Sequence, residues 1–565
     1  MKKSSVFVAA LVSVVFTAVV YGAEEKAELV LRHGRIYTMD AARSWAEAVA
    51  IHNGRFVYVG PDRDVQQWIG ESTKIIELSG RFVLPGFIDS HVHPISAGIE
   101  MTQLSLGEMQ TKEEILQAIQ EYARSHPKDS WVLGNTWQLP VFPEANPHKD
   151  WLDRVVPDRP ALMSAADGHS VWVNSKALKL AGITKDTPDP ENGRIERDEK
   201  GEPSGTLRES ASDLVYKVAP DPTPEDRVNG LQKAVQRMNR LGITGFQDAS
   251  VSEEGLMTYR EAEKKGILTA RVTAAQYADP EQPVEQVEKL KKLREEHRGK
   301  YYQAGAAKIF SDGVIEANTA ALLQPYLDGK RDLGDLNWEP EKLNPLVRRL
   351  DEEKFQIHIH AIGDRGIRVA LDALDQARQT NGTRDARPVI AHLELIDPAD
   401  IPRFQPLSVI ASFQPLWAYE DPYIKDLTLP KLGPERSRWI YPIMSVAKTG
   451  AILALGSDWS VSSVNPLDGI EVAVTRCGPN IETCKVPFLP MEKLDLPSAL
   501  AAYTISGAYA NFWEKETGSI EKGKSADLIV LSENLFAVSP EKINETKVLL
   551  TLFEGKAVYR DSEWR

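Results

Sequence analysis

Eight short apolar runs separated by helical stretches constrain this chain more than anything else in it. They are Phe87–His93, Ile243–Asp248, Arg271–Gln276, Ala306–Phe310, Gln356–His360, Val389–Leu393, Val409–Phe413 and Ala451–Leu455. Thr223–Leu241, Val284–Arg298 and Asp364–Gln379, which lie between them, carry apolar residues at helical spacing. Strands alternating with helices predict βα units on a parallel sheet, and eight is the number that closes a (β/α)8 TIM barrel.

The rest of the chain attaches to that barrel. Glu28–Tyr37 and Ala48–Val59 near the start, and Lys524–Leu531 and Val548–Tyr559 near the end, are β-rich and broken by Gly turns. Neither pair is large enough for a core of its own, so the two ends are predicted to combine into one small β-sandwich, residues 24–84 with 515–565, leaving 85–514 to the barrel. Residues 96–224, with Trp131, Trp137, Trp151 and Trp172, are too many for one βα connection and read as an inserted cap.

Lys2 and Lys3 precede an apolar run from Val6 to Val20 that stops at Tyr21-Gly22-Ala23. The run is shorter than the roughly 20 residues that span a bilayer, so 1–23 reads as an export signal, and the mature protein is expected in a periplasm or outside the cell with no stable membrane anchor. Losing Lys2 and Lys3 would take the net charge from −14 to −16. With 67 basic against 81 acidic residues and no basic block, a nucleic-acid partner is not expected. Cys477 and Cys484, the two cysteines, flank a Gly-Pro turn and can close a short disulfide in an oxidising compartment, whereas in a reducing one they would be bystanders.

His91 and His93 stand at i and i+2 on the first strand, so both imidazoles face one side of it, as two ligands of one divalent ion would. His360, His392 and Asp458 fall at or just past the ends of the fifth, sixth and eighth strands, the face on which TIM barrels build active sites. Lys308, within the fourth strand, would be repelled by a metal as an ammonium; addition of its neutral amine to carbon dioxide would give a carbamate able to bridge two ions. His358 shares a strand side with His360 one layer lower and reads as packing or support, and Asp364 as a helix N-cap.

Taken together, these residues resemble the amidohydrolase superfamily, in the branch that includes N-substituted formamide deformylases. The resemblance covers nearly everything after the signal. It rests on Leu84-Pro-Gly-Phe-Ile-Asp-Ser-His-Val-His-Pro94, Asp167-Gly-His169, Ser311-Asp-Gly313, His358-Ile-His-Ala-Ile-Gly-Asp-Arg365 and Gly456-Ser-Asp-Trp459. It implies two divalent ions, zinc foremost, on His91, His93, carboxylated Lys308, His360, His392 and Asp458. It also implies attack of a metal-bridging hydroxide on a small-molecule substrate, with Asp458 as proton shuttle and His169 reaching over to orient the scissile carbonyl. Amide, N-formyl and cyclic amide bonds lead, while ester, lactone or carbamate cleavage and a non-catalytic secreted regulatory or binding role stay open. The chain departs from the branch at Gly134-Asn-Thr-Trp137 and at Asn318, where an arginine is common, both in segments expected to line the pocket.

Overall fold

The computed structural model describes residues 26–562 and Trp564, except residues 283, 328–331, 480–483 and 485. The expected signal, 1–23, lies outside the described residues. Among the described residues no helix is long and apolar enough to cross a membrane.

Eight parallel strands form one sheet in sequence order: β1 (Phe87–Val92), β2 (Ile243–Val251), β3 (Arg271–Tyr277), β4 (Tyr302–Phe310), β5 (Gln356–Ala361), β6 (Val389–His392), β7 (Ile410–Phe413) and β8 (Leu453–Leu455). This is a TIM barrel. Its ring closes just past β8, where the Asp458 N–H donates to the His91 carbonyl at 2.7 Å and the His93 N–H to the Trp459 carbonyl at 3.0 Å. Gly456 permits that approach, because a Cβ there would lie 2.6 Å from the His91 nitrogen. Ser457 adds two more ties, its N–H and its hydroxyl both donating to the buried Asp89 carboxylate of β1.

The helix before β2 spans Pro224–Arg240, capped by Thr223 and Asp226, whose side chains each accept the other's backbone N–H. β1 ends one residue earlier than expected, because Pro94 opens a helix for which His93 is the capping position. The helix after β5 runs from Asp364 to Asn381 but is not capped by Asp364. Gly363 holds the cap position, and the Asp364 carboxylate accepts the Leu323 N–H instead, at 2.8 Å.

Residues Leu29–Arg32 and Arg35–Tyr37, read as one run in the sequence, belong to two different sheets; His33, at a φ of 56°, turns the chain between them. The six-stranded sheet joins the chain ends, Leu528–Leu531 pairing antiparallel with Phe82–Pro85. Between the two sheets Leu31, Val49 and Phe56 of one pack with Val83, Val530 and Leu550 of the other. Arg271, at the start of β3, locks this unit to the barrel, its buried guanidinium binding Asp527, Ser525 and Glu554. Residues 104–209 build a separate six-stranded sheet around Trp137 and Trp172.

Candidate metal centre

Barrel strands alternate their side chains between core and interior, so residues at strand ends meet at the barrel mouth. There the His91 and His392 rings lie 4.6 Å apart, His360 and His392 4.5 Å apart, and His91 and His93 5.5 Å apart. Asp458 completes the group, its Oδ1 3.5 Å from His91 Nε2 and 3.1 Å from His93 Nε2. The ligand atoms of His91, His392 and Asp458 lie within 4.8 Å of one another, the one His/Cys/Asp/Glu group among the described residues with metal-binding spacing. Lys308 is fully buried and lines the same cavity as His91, His93 and Asp458. Of the residues read from the sequence, all six therefore converge.

The donor atoms fit a divalent ion. His91 Nε2 is buried with no hydrogen-bond partner, a lone pair that a divalent ion relieves, and the Asp458 carboxylate beside it supplies negative charge; Lys308 Nζ, likewise buried and unpartnered, fits such an ion only once its proton is lost. His91, His360 and His392 are held well below the ordinary histidine pKa, first by burial and then by Lys308 and the neighbouring imidazoles, so each presents a neutral ring. Burial also pushes the Lys308 amine down to about 8, against the pull of Asp458 and Asp248. Burial would raise Asp458, but contact with His93 and the charges of His93 and Lys308 outweigh it and hold the carboxylate below its usual range. His392 and Asp458 sit at φ of 77° and 52°, left-handed conformations that non-glycine residues adopt at a cost of about 1–3 kcal/mol.

A buried amide chain sets the direction of one of these rings. Gln356 Nε2 donates to the carbonyls of Arg387 and Ala510, so its Oε1 accepts from Gln247 Nε2 at 3.0 Å. Gln247 Oε1 then accepts from His358 Nδ1 at 3.0 Å, which leaves His358 Nε2 to accept from His91 Nδ1 at 2.9 Å. His91 Nε2 is left as a bare lone pair facing the centre. His392 is oriented the same way, Nδ1 donating to Gln414 Oε1 at 2.8 Å, and His360 donates from Nε2 to the Gly313 carbonyl at 3.2 Å. Such anchors fix the tautomer in which the other nitrogen is a ligand.

Two cavities meet here. One, of about 290 Å³, is lined by His169, His360, His392 and Asp458 together with aromatic residues; the other, of about 700 Å³, is lined by His91, His93, Lys308 and residues of 164–217. His169 enters from the inserted sheet, its ring 5.2 Å from His360. Burial disfavours its charge, but Glu209, at 2.7 Å from Nδ1, raises it to about 9, making it an imidazolium at neutral pH. Sequence reasoning missed Glu209, the relay glutamines and Asp248. Asp248 lies 3.9 Å from His93 Nδ1, with burial pushing its carboxyl up to about 6; its place as the last residue of the apolar run Ile243–Asp248 was the available signal.

A His/Asp cluster of metal-binding spacing at the C-terminal mouth of a TIM barrel fits a metal-dependent hydrolase. Residues 74–559 match the model of the Amidohydrolase family, and the chain belongs to that family. Protein LONG AFTER FAR-RED 3 of Arabidopsis thaliana is 32% identical over 94% of this chain and 92% of its own. The N-substituted formamide deformylase of Arthrobacter pascens is 28% identical over 94% and 98%. An uncharacterized metal-dependent hydrolase from Pyrococcus horikoshii OT3 superposes with a TM-score of 0.72 at 26% identity, over 91% of this chain and 99% of that one.

Proposed function

We propose that this amidohydrolase cleaves a carbon–nitrogen bond in a small amide, N-formyl or cyclic amide substrate, with His91, His93, Lys308, His360, His392 and Asp458 holding two divalent ions, zinc foremost. The observation that carries the reading is the convergence of unpartnered His91 Nε2, Asp458 Oδ1 and Lys308 Nζ at a cavity floor. The similarity to a formamide deformylase favours the C–N bond over an ester. When bound, the ions supply Lewis acidity and lower the pKa of water.

Each side chain then has a task. Lys308, its ammonium disfavoured by burial, reacts as the neutral amine: Nζ forms a bond to the carbon of carbon dioxide and one proton leaves, giving a carbamate. Asp458, ionised, takes the proton of the attacking water on its carboxylate and passes it to the departing amine nitrogen. The His169 imidazolium, kept charged by Glu209, donates to the carbonyl oxygen as charge develops there. The test is kcat/KM on matched N-formyl amines, cyclic amides and esters with zinc and bicarbonate present. Turnover favouring the C–N substrates supports the reading, and turnover of esters alone overturns it.

Export is proposed with it. The pairing of Cys477 with Cys484 supports an oxidising compartment. Intact mass of protein from the native host should show a chain starting at residue 23 or 24, and a retained Met1 would contradict it.

A further inference from the structure

The smaller cavity has a character that hydrolysis alone does not require. Beyond His360, His392 and Asp458 its wall carries Glu316, Glu394 and Asp421 against one cation, the His169 imidazolium at the end where the two cavities meet, and none of its described lining residues is lysine or arginine. Glu394 is 1% exposed. Glu316 Oε1 and Glu394 Oε1 both face the Thr428 hydroxyl, at 3.0 and 3.3 Å, and that hydroxyl has a single proton to offer the two. Asp421 accepts the Ile424 N–H at 2.8 Å, and burial pushes its carboxyl up to about 7, a cost that a cation beside it would relieve. Lys431, which bonds the backbone carbonyls of Ile315 and Glu316, brings one positive charge to this side of the site.

Aromatic faces complete the chamber. Trp417 stacks on His392, centroids 5.6 Å apart and planes 12° apart, so the box begins at the metal centre itself. Tyr419, Tyr423 and Tyr441 join it in the lining, Tyr423 pinned by its hydroxyl to Gln138 at 2.9 Å. Glu316, Glu394 and Asp421 do not close to metal-ligand spacing, since the one such group among the described residues is elsewhere. Carboxylates spread over a chamber of about 290 Å³ and interleaved with rings suit an organic cation, which gains from both the charge and the ring faces.

We propose that this chamber binds the cationic end of the substrate, so that the molecule cleaved is a small amide or formamide bearing an ammonium group remote from the scissile bond. The inference rests on the assignment of the His/Asp cluster as the reaction centre. Its reach is set by His392 and Asp458, which line both the chamber and the centre.

Calorimetric titration of the zinc-loaded protein with choline and with its neutral isostere 3,3-dimethylbutan-1-ol tests the chamber without turnover. Choline is expected to bind at least about tenfold tighter, as a desolvated cation on rings and carboxylates should. The ratio should shrink to near unity in Glu316→Gln, Glu394→Gln or the half-buried Asp421→Asn; because it compares two ligands of one protein, partial loss of folding cancels. Equal binding in the wild type, or a ratio unchanged in every folded variant, overturns the proposal. A second arm compares kcat/KM for N-[2-(trimethylammonio)ethyl]formamide and N-(3,3-dimethylbutyl)formamide. Choline selectivity without cleavage of either formamide supports the chamber and overturns only the N-formyl form of the hydrolytic reading. Equal cleavage of both without choline selectivity overturns the chamber and leaves hydrolysis standing.

Discussion

His358 Nε2 accepts the Nδ1 proton of His91 at 2.9 Å, and that single hydrogen bond turns the other nitrogen of His91 into a bare lone pair at the barrel mouth. The direction is inherited from Gln247 and Gln356, whose amides are oriented by two backbone carbonyls at the far end of the relay.

Replacing Gln247 by Leu should therefore act on the metal through two intervening side chains. His358 Nδ1 and Gln356 Oε1 would be left buried and unpaired, costing about 1–3 kcal/mol in stability. Freed of its anchor, His358 can take the other tautomer and compete for the His91 lone pair. Zinc affinity, read by chelator competition, should fall roughly 10–100-fold while circular dichroism stays unchanged. Unaltered affinity in a folded variant would show that the relay does not orient His91.

The ligand set was legible in the sequence because it rests on local rules. His91 and His93 at i and i+2, and His360, His392 and Asp458 at strand ends, follow from the two-residue period of a strand and the polarity of a barrel. Gln247, Gln356 and Gln414 were not legible. An amide in or beside an apolar strand gives no signal until barrel closure brings side chains of β2 and β5, 109 positions apart, together across the interior. Glu209 hid in the insertion for the same reason, since its partner His169 lies 40 residues away. Asp364 misled because it starts a helix as an N-cap would; only the fold reveals that the Leu323 N–H claims its carboxylate.

Glu209→Gln should separate positioning from metal binding. The amide cannot hold His169 as an imidazolium, so kcat should fall on the order of 10²-fold, the scale of losing one donor to a developing oxyanion. Zinc content by mass spectrometry should match the wild type, because Glu209 bonds Thr319 and His169 and none of the six proposed ligands. Loss of zinc would reassign Glu209 to the metal site.

Arg271→Leu and Asp527→Asn are expected to destabilise unequally when alone and less than additively together. Arg271 is 4% and Asp527 1% exposed, so Asp527→Asn leaves the buried guanidinium with the partly exposed Glu554 as its remaining charge partner, a cost below the ~3–5 kcal/mol of a wholly unpaired buried charge. Denaturant titration of both single variants and the double checks this. Full additivity would mean that the pair does not couple barrel to sandwich.

Glu471 gives the stability its sign with pH. Burial pushes its carboxyl up to about 7 although the Asn544 N–H bonds it, and its Oε1 has no partner. A raised folded pKa means the neutral form is favoured in the fold: the penalty is absent below the unfolded value of about 4.5, grows as pH rises to about 7, and levels off above it. The thermal midpoint of Glu471→Gln relative to wild type should accordingly improve between pH 5.5 and 8, by the equivalent of about 2 kcal/mol. A pH-independent difference would contradict the assignment.

The central claim is that six side chains from distant positions hold divalent ions, and anomalous diffraction at the zinc edge from crystals grown with zinc and bicarbonate tests it most directly. The account predicts peaks about 2.0–2.2 Å from His91 Nε2 and from an Asp458 carboxylate oxygen, with extra density continuing Lys308 Nζ as a carbamate. Zinc-saturated crystals with no peak among these residues, or with zinc bound only elsewhere, would contradict it.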